Sequence, residues 1–113
     1  MKAKLFIAGA GGIGQAVALI ISEFNIFQAD IAFGDVSQQA LDDALYFVKE
    51  GSSHPVKLEG ILMDKGGNYE NLVPVLNDCD VLLDCLPGSL APKMAEMART
   101  CGCHYANLTE YVS

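Results

Sequence analysis

The chain has 113 residues, 51% apolar and 19% charged, with 14 acidic against 7 basic side chains and a formal net charge of −7. That length builds one core rather than two, so a single domain over residues 1–113 is expected, and the composition lacks the polar bias of disordered chains. The few lysines and arginines are scattered, which excludes a nucleic-acid surface, because phosphate binding requires clustered cations. Lys2 and Lys4 precede an apolar stretch over 5–21 that imitates a signal peptide, but four glycines and Gln15 interrupt it. No other segment approaches the ~20 apolar residues of a membrane span. A cytoplasmic chain without membrane contact is expected.

Residues 2–8 form the first predicted strand, closing on Gly9-Ala10-Gly11-Gly12-Ile13-Gly14. This is G-x-G-x-x-G at a point where a strand turns into a helix. Gly9 permits the tight turn, Gly11 lets the backbone approach a pyrophosphate, and Gly14 lets helix and strand pack closely. Gly12 and Ile13 open the helix, whose unpaired N–H groups and positive dipole end attract phosphate. That helix, over 12–24, places Ile13, Val17, Ile20 and Phe24 on one buried stripe, and Asn25 breaks it. A second strand over 30–34 runs into Asp35, 21 residues after Gly14. Ser37 caps the next helix, with Leu41, Ala44, Leu45 and Val48 as its buried face. Gly51-Ser52-Ser53-His54-Pro55 is a turn cluster.

Residues 56–63 form the third strand, followed by Asp64-Lys65-Gly66-Gly67. A short helix carries Tyr69, Leu72, Val73 and Leu76, with Pro74 expected to distort it. Asp80-Val81-Leu82-Leu83-Asp84-Cys85 is the fourth strand, ended by Leu86-Pro87-Gly88. Ser89 is expected to cap a helix whose stripe is Leu90, Met94, Met97, Ala98 and Cys101; Pro92 falls in its first turn, where a missing N–H costs little. The fifth strand covers 104–108. Strands alternating with amphipathic helices predict an α/β fold: a doubly wound, Rossmann-like parallel sheet of about five strands in the order 3-2-1-4-5. Its ligand crevice lies at the carboxyl ends, between strands one and four.

Asp35, at the end of strand two, is placed to accept both ribose hydroxyls of an adenosine. Its charge repels a 2′-phosphate, and Val36-Ser37-Gln38-Gln39 offers no cation in compensation. NAD is therefore expected over NADP by about 1–3 kcal/mol. The structural alternative is that Asp35 caps the following helix. Val36 joins it among the expected cofactor contacts. Asp64 either accepts from an adenine amino group or simply forms the turn before Lys65. Leu86 and Pro87 border the crevice and either pack against the cofactor or merely end the strand. Asp80 and Asp84 share a strand face without reading as an acid–base pair; Asp84 is the nearer of the two to a ligand. His104 heads strand five, away from the crevice, and reads as structural, while His54 carries no signal. Cys79, Cys85, Cys101 and Cys103 form no C-x-x-C. With only two histidines present no metal site is expected, and the four read as reduced thiols acting as small apolar groups. No residue is assigned a catalytic role.

Asp80-Val81-Leu82-Leu83-Asp84-Cys85-Leu86-Pro87 and Gly102-Cys103-His104-Tyr105-Ala106-Asn107-Leu108-Thr109 resemble the strand-four and strand-five stretches of the saccharopine dehydrogenase family. With the glycine motif and Asp35, the resemblance covers essentially the whole chain. Tyr111-Val112-Ser113 falls where that family's chain begins to leave its nucleotide domain, and Asn107 stands where Asp is frequent. The resemblance implies the NAD(P)-binding domain of an oxidoreductase of amino-acid metabolism, one that forms or cleaves a secondary amine by hydride transfer. It also implies a substrate domain outside this chain, so the chain alone is expected to be inactive. Its expected partners are the dinucleotide, that substrate domain and, at most, a second copy in a homodimer. The alternative is a regulatory nucleotide-sensing module of the kind that gates potassium transport, which shows the same glycine string and acidic residue. The 102–108 stretch favours the dehydrogenase.

Overall fold

Leu5, Phe6, Ile7 and Ala8 are all buried, so the strand they form must be covered on both faces. The computed structural model describes residues 2–23, 28–53 and 56–108 and meets this requirement. Along the chain run β1 (Lys2–Ala8), α1 (Gly12–Ser22), β2 (Gln28–Asp35), α2 (Gln38–Gly51), β3 (Lys57–Leu62), α3 (Val73–Asn77), β4 (Val81–Asp84), α4 (Ala91–Cys101) and β5 (His104–Asn107). Short 3₁₀ turns at Glu70–Leu72 and Gly88–Leu90 lead into α3 and α4. The strands pair in parallel in the order β3-β2-β1-β4-β5, the doubly wound order that the alternation predicts. One face packs Leu5, Ile7, Ile31 and Phe33 against Ala18 of α1 and Leu41, Ala44 and Val48 of α2. The other packs Phe6, Ala8, Ala32 and Leu82 against Leu72, Leu76, Met94 and Ala98.

Helix α1 departs from its predicted stripe. The residues turned to the sheet are Gly14, Ala18 and Ser22, while Ile13 and Ile20 are 56% and 59% exposed. The fourth stripe residue, Phe24, lies outside the described residues. The reason is distance: a Cβ on Gly14 would stand 2.3 Å from the Gly9 carbonyl oxygen, so only the smallest side chains fit between helix and sheet. The hydroxyl of buried Ser22 is satisfied by donating to the Leu19 carbonyl at 2.8 Å. Ser37 does cap α2, its hydroxyl accepting the Ala40 N–H at 3.1 Å, and Leu41, Ala44 and Val48 are that helix's buried face.

The expected helix carrying Tyr69 to Leu76 is split beside Pro74: Leu72 lies in a 3₁₀ turn, Tyr69 precedes it, and Pro74 falls in the first turn of α3, where its missing N–H costs little. Ser89 is not a cap: it lies inside the Gly88–Leu90 turn, and no side chain caps α4. Pro92 occupies the first turn of α4, where its lack of an N–H is harmless. β2 is longer than expected and includes Asp35; β3, β4 and β5 are each shorter by one or more residues. β3 is an edge strand, half-exposed along its length, which is why its apolar alternation is imperfect. His54, Thr109 and Tyr111-Val112-Ser113 lie outside the described residues.

Candidate cofactor crevice

The carboxyl ends of β1, β2 and β4 converge on the turn between β1 and α1. Gly9 adopts φ +99°, a conformation that side-chain-bearing residues rarely take, and a Cβ there would meet the Cys85 carbonyl oxygen at 2.9 Å. The turn therefore rests directly on the Cys85–Leu86 peptide with no side chain between. Its N–H continues the ladder, donating to the Gly34 carbonyl at 2.7 Å. At Gly11 and Gly12 the situation is opposite: an added Cβ would meet nothing within 4 Å. Gly11 stands at the N-cap position of α1, where no side chain makes a cap bond and no acidic residue occupies the first turn. The first N–H groups of α1 thus have neither an intrahelical acceptor nor a side-chain cap.

Asp35 joins two loops. One carboxylate oxygen accepts the Ala10 N–H at 2.8 Å and the other accepts the Ser37 N–H at 2.9 Å. Ser37 is the cap of α2, so Asp35 anchors the turn before that helix rather than capping it. A carboxylate has about four lone-pair sites, and two remain for further donors. Val36 and Ile13 are exposed apolar residues on the rim, Leu86 is half-buried and Pro87 exposed. Asp64 is exposed beyond β3; its carboxylate accepts the Asn68 N–H at 3.0 Å, and its carbonyl accepts the Gly67 N–H. These bonds close the turn that follows β3.

Other titratable groups separate by position. Asp80 precedes β4 at the far end of the sheet, where its carboxylate accepts the Lys4 N–H at 2.8 Å. Asp84 is fully buried on the α3/α4 side of the sheet, its oxygens accepting the Tyr105 hydroxyl at 2.6 Å and the Leu86 N–H at 3.0 Å. Burial, and then the Asp84 carboxylate, push the Tyr105 hydroxyl well above its ordinary value. His104 starts β5 opposite Val81, at the amino ends of the strands. Burial pushes the Cys79 and Cys85 thiols up to about 11, which makes both poor nucleophiles at neutral pH. Among the described residues no group of His, Cys, Asp and Glu is placed to hold a metal ion, and no helix is long and apolar enough to cross a membrane.

Three elements of this geometry escape sequence reasoning. The Ala10–Asp35 bond needs the β1–β2 register, which puts Ala8 beside Gly34. Gly34 itself is required because a Cβ there would stand 2.5 Å from the Phe6 ring, a tertiary contact. The Asp84–Tyr105 bond depends on the β4–β5 register, in which Asp84 pairs with Asn107 and Leu82 with Tyr105. Its one trace in the chain is that Tyr105 and Asn107 are two apart and so share a strand face.

A parallel sheet in this order, with a glycine turn opening α1 at its carboxyl edge, defines a dinucleotide-binding fold. Residues 5–113 match the family described as "Saccharopine dehydrogenase NADP binding domain", and the chain belongs to that family. A comparison with curated proteins finds no match. Among solved structures the chain is similar to saccharopine dehydrogenase (L-Glu forming) from Saccharomyces cerevisiae, with 19% identity and a TM-score of 0.70 over 98% of this chain and 22% of that one. Shikimate dehydrogenase from Mycobacterium tuberculosis gives 12% identity and a TM-score of 0.70 over 95% of this chain and 46% of that one. The 3-hydroxyacyl-CoA dehydrogenase from Archaeoglobus fulgidus gives 23% and 0.63 over 98% and 35%. At these identities the likeness is one of fold, and the chain spans less than half of each of these proteins. The family description names NADP, whereas Asp35 led to an expectation of NAD.

Proposed function

We propose that this chain is the dinucleotide-binding domain of an oxidoreductase of the saccharopine dehydrogenase type. The observation that carries this reading is the uncapped start of α1 beside the open space at Gly11 and Gly12. Unpaired N–H groups at a positive helix end, with no side chain filling the volume before them, suit a pyrophosphate. Gly9, Gly11, Gly12, Ile13 and Gly14 would hold the diphosphate. Asp35 would use its remaining lone pairs for the adenosine ribose, with Val36 and Asp64 toward the adenine. Leu86 and Pro87 would form the wall on the nicotinamide side. When bound, the nicotinamide supplies the hydride chemistry; this chain's residues bind and orient it.

The reaction we propose is hydride transfer at a secondary amine of an amino-acid substrate, held by a domain outside residues 1–113. Support comes from the family description and from the likeness to a saccharopine dehydrogenase of which this chain covers 22%. The free thiols among the described residues suit a reducing cytoplasm. For cofactor choice, the family name favours NADP, while the chain's own Asp35-Val36-Ser37-Gln38-Gln39 would bring a carboxylate and no cation to the ribose. We give the local charge more weight, because a 2′-phosphate would bring about two further negative charges against that carboxylate. Titration calorimetry tests both levels. NADH should bind more tightly than NADPH, by about five- to a hundredfold. Equal or tighter NADPH binding would overturn the preference alone, and binding of neither would overturn the domain assignment.

A further inference from the structure

We propose that the buried Asp84–Tyr105 pair is a positioning device for the cofactor: it holds the Cys85–Leu86 peptide against the underside of the glycine turn and thereby sets where the nicotinamide half lies. This rests on the dinucleotide-binding reading and adds residues that lie outside the crevice.

Asp84 is the last residue of β4 and is 0% exposed. A carboxylate in that position is costly unless its oxygens are satisfied, and an apolar side chain of similar size would serve packing as well. Both oxygens are engaged, each with a different element. One accepts the Tyr105 hydroxyl from β5 at 2.6 Å, and that hydroxyl also lies 3.4 Å from the Ala91 carbonyl at the start of α4. The other accepts the Leu86 N–H at 3.0 Å, bending the chain out of β4.

The residue between them completes the connection. Cys85 donates its N–H to the Ala8 carbonyl at 2.8 Å, extending the β1–β4 ladder by one rung beyond the last strand residue. Its own carbonyl then faces the glycine turn, at the 2.9 Å that a Gly9 Cβ would have to occupy. Contact is backbone against backbone; the turn is held separately by the Gly9 N–H on the Gly34 carbonyl and the Ala10 N–H on Asp35, so a tilt of the Cys85–Leu86 peptide moves the wall formed by Leu86 and Pro87. On its outer side Tyr105 borders a cavity of about 370 Å³, lined also by Asn107, Ser89, Ala91, Pro92 and Ala95. The Tyr105 hydroxyl bond on one carboxylate oxygen orients the other toward the Leu86 N–H.

The test compares two ligands on the full 113-residue chain: NADH, and ADP, which carries the adenosine and both phosphates but nothing beyond them. Tyr105→Phe keeps the ring and removes the donor. Expected are a loss of about tenfold in NADH affinity, a change of less than about twofold for ADP, and a weaker fluorescence enhancement of bound NADH. A merely structural role would lower the melting temperature and weaken both ligands together. That outcome, or unchanged NADH binding and fluorescence, would overturn the proposal. Should Tyr105→Phe fail to fold, Asp84→Asn replaces it, since the amide oxygen still accepts the Leu86 N–H while the tie to Tyr105 weakens. The same selective loss is then expected, and an equal or absent effect overturns the proposal. Wild-type chain that binds neither ligand would instead overturn the cofactor reading, and this inference with it.

Discussion

Gly11 and Gly14 sit three residues apart and answer opposite demands. A Cβ on Gly14 would collide with the Gly9 carbonyl, whereas a Cβ on Gly11 would enter open space. Gly11→Val should therefore leave the fold intact, with a cost of at most about 1 kcal/mol from a poorer N-cap, while the added methyls fill the volume assigned to the pyrophosphate. Circular dichroism should match wild type and calorimetry should detect no dinucleotide binding; retained affinity would place the phosphates elsewhere. The half-buried thiols give a second prediction at this scale. An unfolded chain releases thiol protons near the ordinary value of 9.0, while folded Cys79 and Cys85 hold theirs to about 11. Their contribution to stability is thus complete below pH 9 and is lost as the pH rises through 11. The melting temperature should fall across that window, and the Cys79→Ala, Cys85→Ala double variant should show a flatter decline.

Helices α1 and α2 show how element-level pattern and packing can diverge. In α2 the heptad-like spacing of Leu41, Ala44 and Val48 names the buried face, because large residues there meet a sheet surface with room for them. In α1 large residues at helical spacing name the wrong face, because the glycine turn pulls the helix onto β1 and leaves space only for Gly14, Ala18 and Ser22. The hydrophobic period of α1 was legible; its phase was not. The same closeness governs β2, where Gly34 lies under the Phe6 ring and near the Met63 sulfur, at 2.5 and 3.0 Å from a notional Cβ. Gly34→Ala should overpack this fully buried ring and destabilise the protein by about 1–3 kcal/mol. A chemical denaturation midpoint unchanged from wild type would show that the ring gives way freely.

For the whole molecule, the parallel order places three strand ends around one crevice edge and leaves no opposing wall among the described residues. Hydride transfer needs a substrate carbon held about 3–3.5 Å from the nicotinamide, with water excluded. Tyr105, Asn107 and Ser89 border the neighbouring cavity, and no Lys or Arg lines it to receive an amino-acid carboxylate. On the proposed function, the purified 113-residue chain should bind dinucleotide yet leave saccharopine and related secondary amines unchanged. Supplying a substrate domain of the same family in one polypeptide should bring turnover. A saturable, substrate-dependent rise in NADH absorbance from the chain alone would contradict this.

Strand–helix alternation, the position of the glycine turn, Asp35 at the end of the second strand and the resulting sheet order were all determined by the sequence itself. Each follows from local chemistry: period-2 and period-3.6 apolar spacing, glycine at turns and right-handed crossovers. What only the tertiary structure decided is which atoms oppose one another once strands are in register. Asp35 became a clamp on Ala10 and Ser37, Gly34 a necessity beneath Phe6, and Asp84 a buried partner of Tyr105 rather than a residue of the crevice. Bonds to Asp64 likewise closed the turn that follows β3. These assignments depend on contacts across strands and between layers, whose distances are set by the closest backbone approach, and no spacing along a single chain encodes that distance.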